Sequence, residues 1–147
     1  MQQAGRTAYR YLVAGFFALV IVQFFLAGLG AFRTQHDAGG GVTVDDSRFQ
    51  HNFAAHTTLG FALSIVGLVV FAAALAGRLG RGRVLLALAL PLLVELQSVF
   101  ANAGPAGFRA LHPVNACLIL GLSGVLAHRA WRTSATKVPE AAPATNP

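Results

Sequence analysis

The chain has 147 residues, of which 55% are hydrophobic and only 11% charged, with a formal net charge of +6. Soluble domains carry roughly a quarter charged residues. Here the apolar residues come in long runs rather than in the rhythm of an amphipathic helix, which excludes a water-soluble bundle. The cations flank those runs instead of forming one continuous basic face, so the positive balance does not point to nucleic acid.

The first apolar run, Tyr11 to Phe32, is long enough to cross a hydrocarbon core of about 30 Å. Arg6 and Arg10 precede it as in a secretory signal, but the run exceeds the length of an h-region, so an uncleaved anchor is expected. Residues 33–50, with Gly39-Gly40-Gly41 and Asp45-Asp46, read as a polar loop. The second span runs from about Phe49 to Ala76, and the short stretch Arg78 to Arg83 makes the second and third spans antiparallel neighbours. Span three covers about Val84 to Ala101; Pro91 inside it removes a backbone hydrogen bond and is expected to kink the helix. Gly104-Pro105 ends it, and span four runs from about Ala106 to Trp131. Residues 1–132 thus form one transmembrane domain with spans at about 11–32, 49–76, 84–101 and 106–131. Residues 133–147, rich in Ala and Pro, read as a disordered cytoplasmic tail. The expected fold is all-α, an integral membrane up-down four-helix bundle.

Orientation follows from the placement of Lys and Arg. Arg6, Arg10, Arg78, Arg81, Arg83, Arg129, Arg132 and Lys137 fall on one side; Arg33, Arg48 and Arg109 fall on the other. Eight against three puts both termini and the short turn in the cytoplasm, with the protein in the plasma membrane as a multi-pass chain.

The two halves of the sequence resemble each other. Gln23 and Ala27 in span one correspond to Gln97 and Ala101 in span three; His56 and Gly60 in span two correspond to His112 and Ala116 in span four. Each half reads as a helix with a late Gln followed by a helix with an early His and a small residue one turn deeper. That is a duplicated two-helix hairpin, parallel about an axis along the membrane normal, with chance similarity as the alternative.

The polar residues of the spans fall at one depth. His56 and His112 each lie seven residues beyond the expected starts of their spans at Phe49 and Pro105, and Gln23 and Gln97 approach the same outer half from the opposite direction. Polar groups in hydrocarbon usually face a bundle interior or a cavity. Two neutral imidazoles on diagonal helices are what a six-coordinate haem iron needs, and bundle cores build such sites between facing helices. Gly60 and Ala116 share the faces of the histidines and would leave room for a flat macrocycle. Arg109, three residues before His112, could meet a propionate. The competing reading makes His56 and His112 simple interhelical hydrogen-bonding residues, with Pro113 marking a helix start at His112 and Arg109 anchoring at the headgroups.

Other polar residues carry weaker signals. Glu95 shares a helical face with Pro91, Ser98 and Asn102, a second polar seam. A proton path, an oligomer contact and a protonated interhelical bond are its readings. Cys117, the one cysteine, is expected to be buried as a small hydrophobe. His36, His51 and His128 fall in loops or near helix ends, and Asp45-Asp46-Ser47 reads as a solvated turn. No nucleophile–base pair, Walker loop or zinc-protease spacing is present, so no catalytic residue is assigned.

These residues give the chain a family likeness. Val22-Gln23 with Gly28, His56 through Gly60, Leu96-Gln97, and His112 through Ala116 resemble one four-helix half of the haem A synthase family, over roughly residues 15–130. The resemblance implies haem ligation by His56 and His112. Departures accompany it: four spans where that family has eight, no paired loop cysteines, and Asn52 and Phe53 where its catalytic glutamate precedes the first histidine. The pattern of Gln, His-x-x-x-Gly and His-Pro is also similar to uncharacterised small four-span bacterial membrane proteins. The expectation is therefore one b-type haem between His56 and His112, serving electron transfer or haem and redox sensing, with quinone or a redox protein as partner. The alternatives are a cofactor-free accessory membrane protein and, ranked last, a transport or proton-conducting element.

Overall fold

The computed structural model describes residues 2–135, so the expected tail lies almost wholly outside the described residues. Five α-helices follow one another: α1 (Gln2–Gly39), α2 (Asp46–Ala76), α3 (Arg81–Asn102), α4 (Ala106–Arg109) and α5 (Leu111–Ala135). Four helical stretches are long and apolar enough to cross a membrane, the fourth running from Ala106 to Arg132 through α4 and α5. The fold is the expected all-helical bundle. α1 packs on α2 and α5, and α3 packs on the same two helices, so α2 and α5 stand diagonally across the bundle, as do α1 and α3.

The likeness of the two halves extends to the packing. Under the numbering shift that carries Gln23 onto Gln97, the buried residues Val13, Phe16 and Val20 of α1 land on Ala87, Leu90 and Val94 of α3, which are also buried. Under the shift that carries His56 onto His112, the buried residues Leu63, Gly67 and Val70 of α2 land on Ile119, Ser123 and Leu126 of α5, again all buried. A face repeated at the same register in both hairpins is what two copies of one helical pair would bury.

The densest packing lies in the half of the bundle that holds the start of α1 and the end of α5. Its buried core comprises Tyr9 to Val20, Leu63 to Ala74, Ala87 to Val94 and Ile119 to Ala127. Backbones approach closely there. A Cβ on Gly5 would sit 2.5 Å from the Gly77 amide nitrogen, and one on Gly67 would sit 3.3 Å from the Pro91 Cα. α3 continues through Pro91, whose buried ring faces that glycine. Arg6 donates to the Gly77 carbonyl at 3.1 Å. Arg10 lies over the Trp131 and Tyr11 rings, 4.7 and 5.1 Å from their centroids, which joins α1 to α5.

Three details depart from expectation. The loop between the first two spans is much shorter than Arg33 to Gln50, because α1 continues to Gly39 and α2 begins at Asp46. The physical reason is an ion pair: Arg48 Nε and Nη2 donate to the Asp37 carboxylate at 2.6 and 2.8 Å, and Asn52 donates to it at 2.9 Å, tying the two helix extensions together. Asp45 is the N-cap of α2 and accepts from the Arg48 amide at 2.8 Å. Cys117 is exposed on α5, on the outer surface of the bundle rather than in its core. Glu95, Ser98 and Asn102 are likewise exposed while Pro91 is buried, so the polar seam faces outward and leaves Pro91 behind.

Candidate functional site at the histidine layer

His56 lies in the interior of α2, one helical turn after Asn52, and its backbone meets α1 at Gln23. The helices come close there because Gly30 of α1 leaves a notch for the Phe53 ring; a Cβ at Gly30 would lie 2.7 Å from that ring. Phe53 stacks on Phe49 at 4.6 Å and meets the His56 ring edge-on at 6.1 Å. His112 is the second residue of α5 and is followed by Pro113, a residue tolerated in the first turn of a helix. One sequence reading placed His112 seven residues into a continuous span, and the competing one took Pro113 to mark a helix start there. A turn at Ala110 separates α4 from α5, and His112 sits at the start of the longer helix, as the second reading expects.

Each histidine is locked to a glutamine by the same reciprocal pair of bonds. Gln23 Nε2 donates to the His56 carbonyl at 2.8 Å, and His56 Nδ1 lies 3.2 Å from the Gln23 carbonyl oxygen. Gln97 Nε2 donates to the His112 carbonyl at 2.9 Å, and His112 Nδ1 lies 3.1 Å from the Gln97 carbonyl oxygen. A carbonyl oxygen can only accept, so Nδ1 carries the proton in both rings. Nε2 is then the unprotonated nitrogen in each, with its lone pair available. Backbone carbonyls fix the tautomer of metal-ligating histidines in the same way.

The two imidazoles face each other across the bundle, with ring centroids 6.3 Å apart and planes inclined at 56°. An imidazole nitrogen bonds a metal at about 2 Å and lies about 1 Å from its own ring centre, so two rings on opposite sides of one metal ion have centres a little over 6 Å apart. At that separation His56 and His112 could together hold one metal ion.

Packing around the layer is looser than below it. Gln23, His56, Gly60, Gln97, His112 and Ala116 are all half-buried, in contrast to the fully buried core beneath. A Cβ built on Gly60 would meet only Gln23 Nε2, at 3.4 Å. Arg109 is exposed on α4, where its backbone amide donates to the Pro105 carbonyl at 3.1 Å, and its guanidinium makes no hydrogen bond or ion pair among the described residues. The structure thus brings His56, His112, Gln23, Gln97 and Gly60 together, with Ala116 one turn below His112 and Arg109 outside the cluster.

Sequence reasoning missed Asn115. It is 3% exposed and donates to Gln97 Oε1 at 2.6 Å and to the Leu93 carbonyl at 2.8 Å, clamping the second glutamine. The signal was present: an Asn one turn from His112, inside an apolar run. The first half has Leu59 at that position, and Gln23 Oε1 is a buried acceptor with no donor among the described residues. Asn52, noted only for what it replaces, anchors the α1–α2 pair through Asp37 and through Thr34 at 3.3 Å.

The chain matches DUF6220, a family of unknown function, over residues 23–104, more than half of its length, and it belongs to that family. The matched region includes the first Gln–His pair and the second glutamine, and ends before His112. No curated protein and no solved structure matches the chain.

Proposed function

We propose that this member of the family is a small membrane cytochrome that binds one b-type haem between His56 and His112. The observation that supports it most is the pair of facing imidazoles 6.3 Å apart, each with Nδ1 engaged by a glutamine carbonyl and Nε2 free. His56 and His112 would ligate the iron, Gly60 and Ala116 would leave space beside it, and Arg109 would pair with a propionate at the surface. The haem would supply one-electron redox chemistry, which the protein tunes through ligand basicity and burial. Gln23 and Gln97 orient the rings through the carbonyl contacts.

The reading extends to placement and partners. Both termini lie in the cytoplasm, following the charge asymmetry, and the haem layer lies in the outer half of the plasma membrane, where quinone or a redox protein would exchange electrons. The likeness to one half of haem A synthase supports the same two ligands. It does not support that enzyme's reaction, since Asn52, in the region of its glutamate, is bonded to Asp37.

A second reading is favoured by the same hydrogen bonds, because each Gln–His pair joins two helices without any cofactor. The two are separated by titrating the purified chain with haem in mild detergent. The cytochrome reading expects saturation at one haem per chain, a high-spin five-coordinate product in either single His→Ala variant, and no binding in the double variant. Titration curves unchanged in the double variant would leave the histidines as interhelical contacts.

A further inference from the structure

At the end of the bundle opposite the chain termini, the α1–α2 hairpin carries an open cavity of about 730 Å³, lined by Arg33, His36, Asp37, Arg48, His51 and Asn52 among others. Its only carboxylate is already committed. Asp37 is buried, and its two oxygens take the Arg48 fork and the Asn52 amide, which hold it well below the usual carboxylate range. It therefore stays ionised and offsets the charge of Arg48. The Arg33 guanidinium and the His36 and His51 rings are exposed, and none has a hydrogen-bond or ion-pair partner among the described residues. Phe32, 72% exposed, adds an apolar flank on the same rim.

A wall of nitrogen donors with its acceptor consumed is complementary to an anion with several oxygens. Arg in particular matches phosphate geometry through its planar fork. The geometry points to a phosphate-binding site in this cavity, contacted by Arg33, His36 and His51 and braced by the Arg48–Asp37–Asn52 network. The phosphate is that of an anionic lipid headgroup in the adjacent leaflet or free phosphate in solution. The site is distinct from the histidine layer and does not depend on haem.

The test is the thermal unfolding midpoint of the full chain in neutral detergent, followed by far-UV circular dichroism, with phosphatidylglycerol or inorganic phosphate added. A ligand that binds the folded chain raises the midpoint. Phosphatidylglycerol is expected to raise it by several degrees, and Arg33→Gln is expected to remove at least half of that rise without changing the midpoint of the unliganded chain. Arg81→Gln, at the other end of the bundle, is the control for general attraction between cations and anionic lipid, and is expected to keep the rise. A rise with phosphatidylglycerol alone assigns the headgroup as source; a rise with inorganic phosphate as well shows that the free ion suffices. The proposal is overturned if neither ligand raises the midpoint, if Arg33→Gln retains the full rise, or if Arg81→Gln loses as much as Arg33→Gln.

Discussion

Gln23 and His56 hold each other twice: the glutamine side chain donates to the histidine carbonyl at 2.8 Å, and the histidine ring meets the glutamine carbonyl at 3.2 Å. Gln97 and His112 repeat the arrangement at 2.9 and 3.1 Å. Side chain and backbone thus exchange roles across two helices. The geometry fixes ring orientation and tautomer before any ligand arrives.

Removing one side-chain half of this exchange is expected to cost little but unequally. Interhelical hydrogen bonds in membranes contribute about 0.6 kcal/mol on average and up to about 1.7 kcal/mol. Gln23→Leu should fall within that range. Gln97→Leu should cost more, because it also takes the Oε1 acceptor from Asn115, a buried donor 2.6 Å away. Reversible unfolding in mixed micelles measures both, and equal costs would contradict the clamping role of Asn115.

Acid should loosen the connection between α1 and α2 first. Bonds from Arg48 and Asn52 depress the folded Asp37 carboxyl below its ordinary value of 3.8. A depressed carboxyl contributes stability that is fully present above the unfolded value and is lost as pH falls through the folded one. The Asp37 contribution should therefore be constant from neutral pH down to about 5 and decline below about 4. In Asp37→Asn the part of that decline due to this residue should vanish, with lower stability at neutral pH. Unfolding midpoints from pH 7 to pH 3 check this, and an identical acid slope in the variant would refute it.

Backbone contact between the start of α1 and the end of α2 makes glycine necessary at Gly5, whereas Gly15 is dispensable. A Cβ on Gly5 would lie within 2.5 to 2.9 Å of the Ala76–Gly77 backbone, so Gly5→Ala should force α1 and α2 apart. A loss of about 1 to 3 kcal/mol is the usual scale of overpacking. Gly15 has nothing within 4 Å, and Gly15→Ala should be neutral or stabilise by up to about 1 kcal/mol through helix propensity. Parallel unfolding of the two variants gives the comparison.

The proposed orientation can be read by chemical labelling. In a Cys117→Ala background, Ser47→Cys should react with an impermeant maleimide added to intact cells, since Ser47 lies in the exposed first turn of α2, which the proposed orientation puts outside. Arg81→Cys, at the start of α3, should react only after the membrane is opened. The opposite pattern would invert the topology.

The bundle was legible because hydrocarbon demands long apolar runs, and the likeness of the two halves because polar residues inside such runs are few. Gln23, His56, Gln97 and His112 stood out for that reason and do meet in two matching pairs. The extensions of α1 and α2 were not legible. Arg33 to Gln50 has loop composition, and only the tertiary pairing of Asp37 with Arg48 and Asn52 makes helix the better state. The outward face of Cys117 and Glu95 was also hidden. In a membrane helix the lipid side is as apolar as the core, so periodicity does not separate them. The helix start beside Ala110 was signalled only by Pro113, since Ala106 to Trp131 otherwise reads as one uninterrupted span.

The central claim, that His56 and His112 hold a haem, is tested most directly by the reduced-minus-oxidised absorption spectrum of the chain purified in mild detergent after expression with ample haem. The account expects a sharp Soret band with α and β bands on reduction, lost in the His56→Ala/His112→Ala double variant. A colourless wild-type protein, or a spectrum that survives the double substitution, would contradict it.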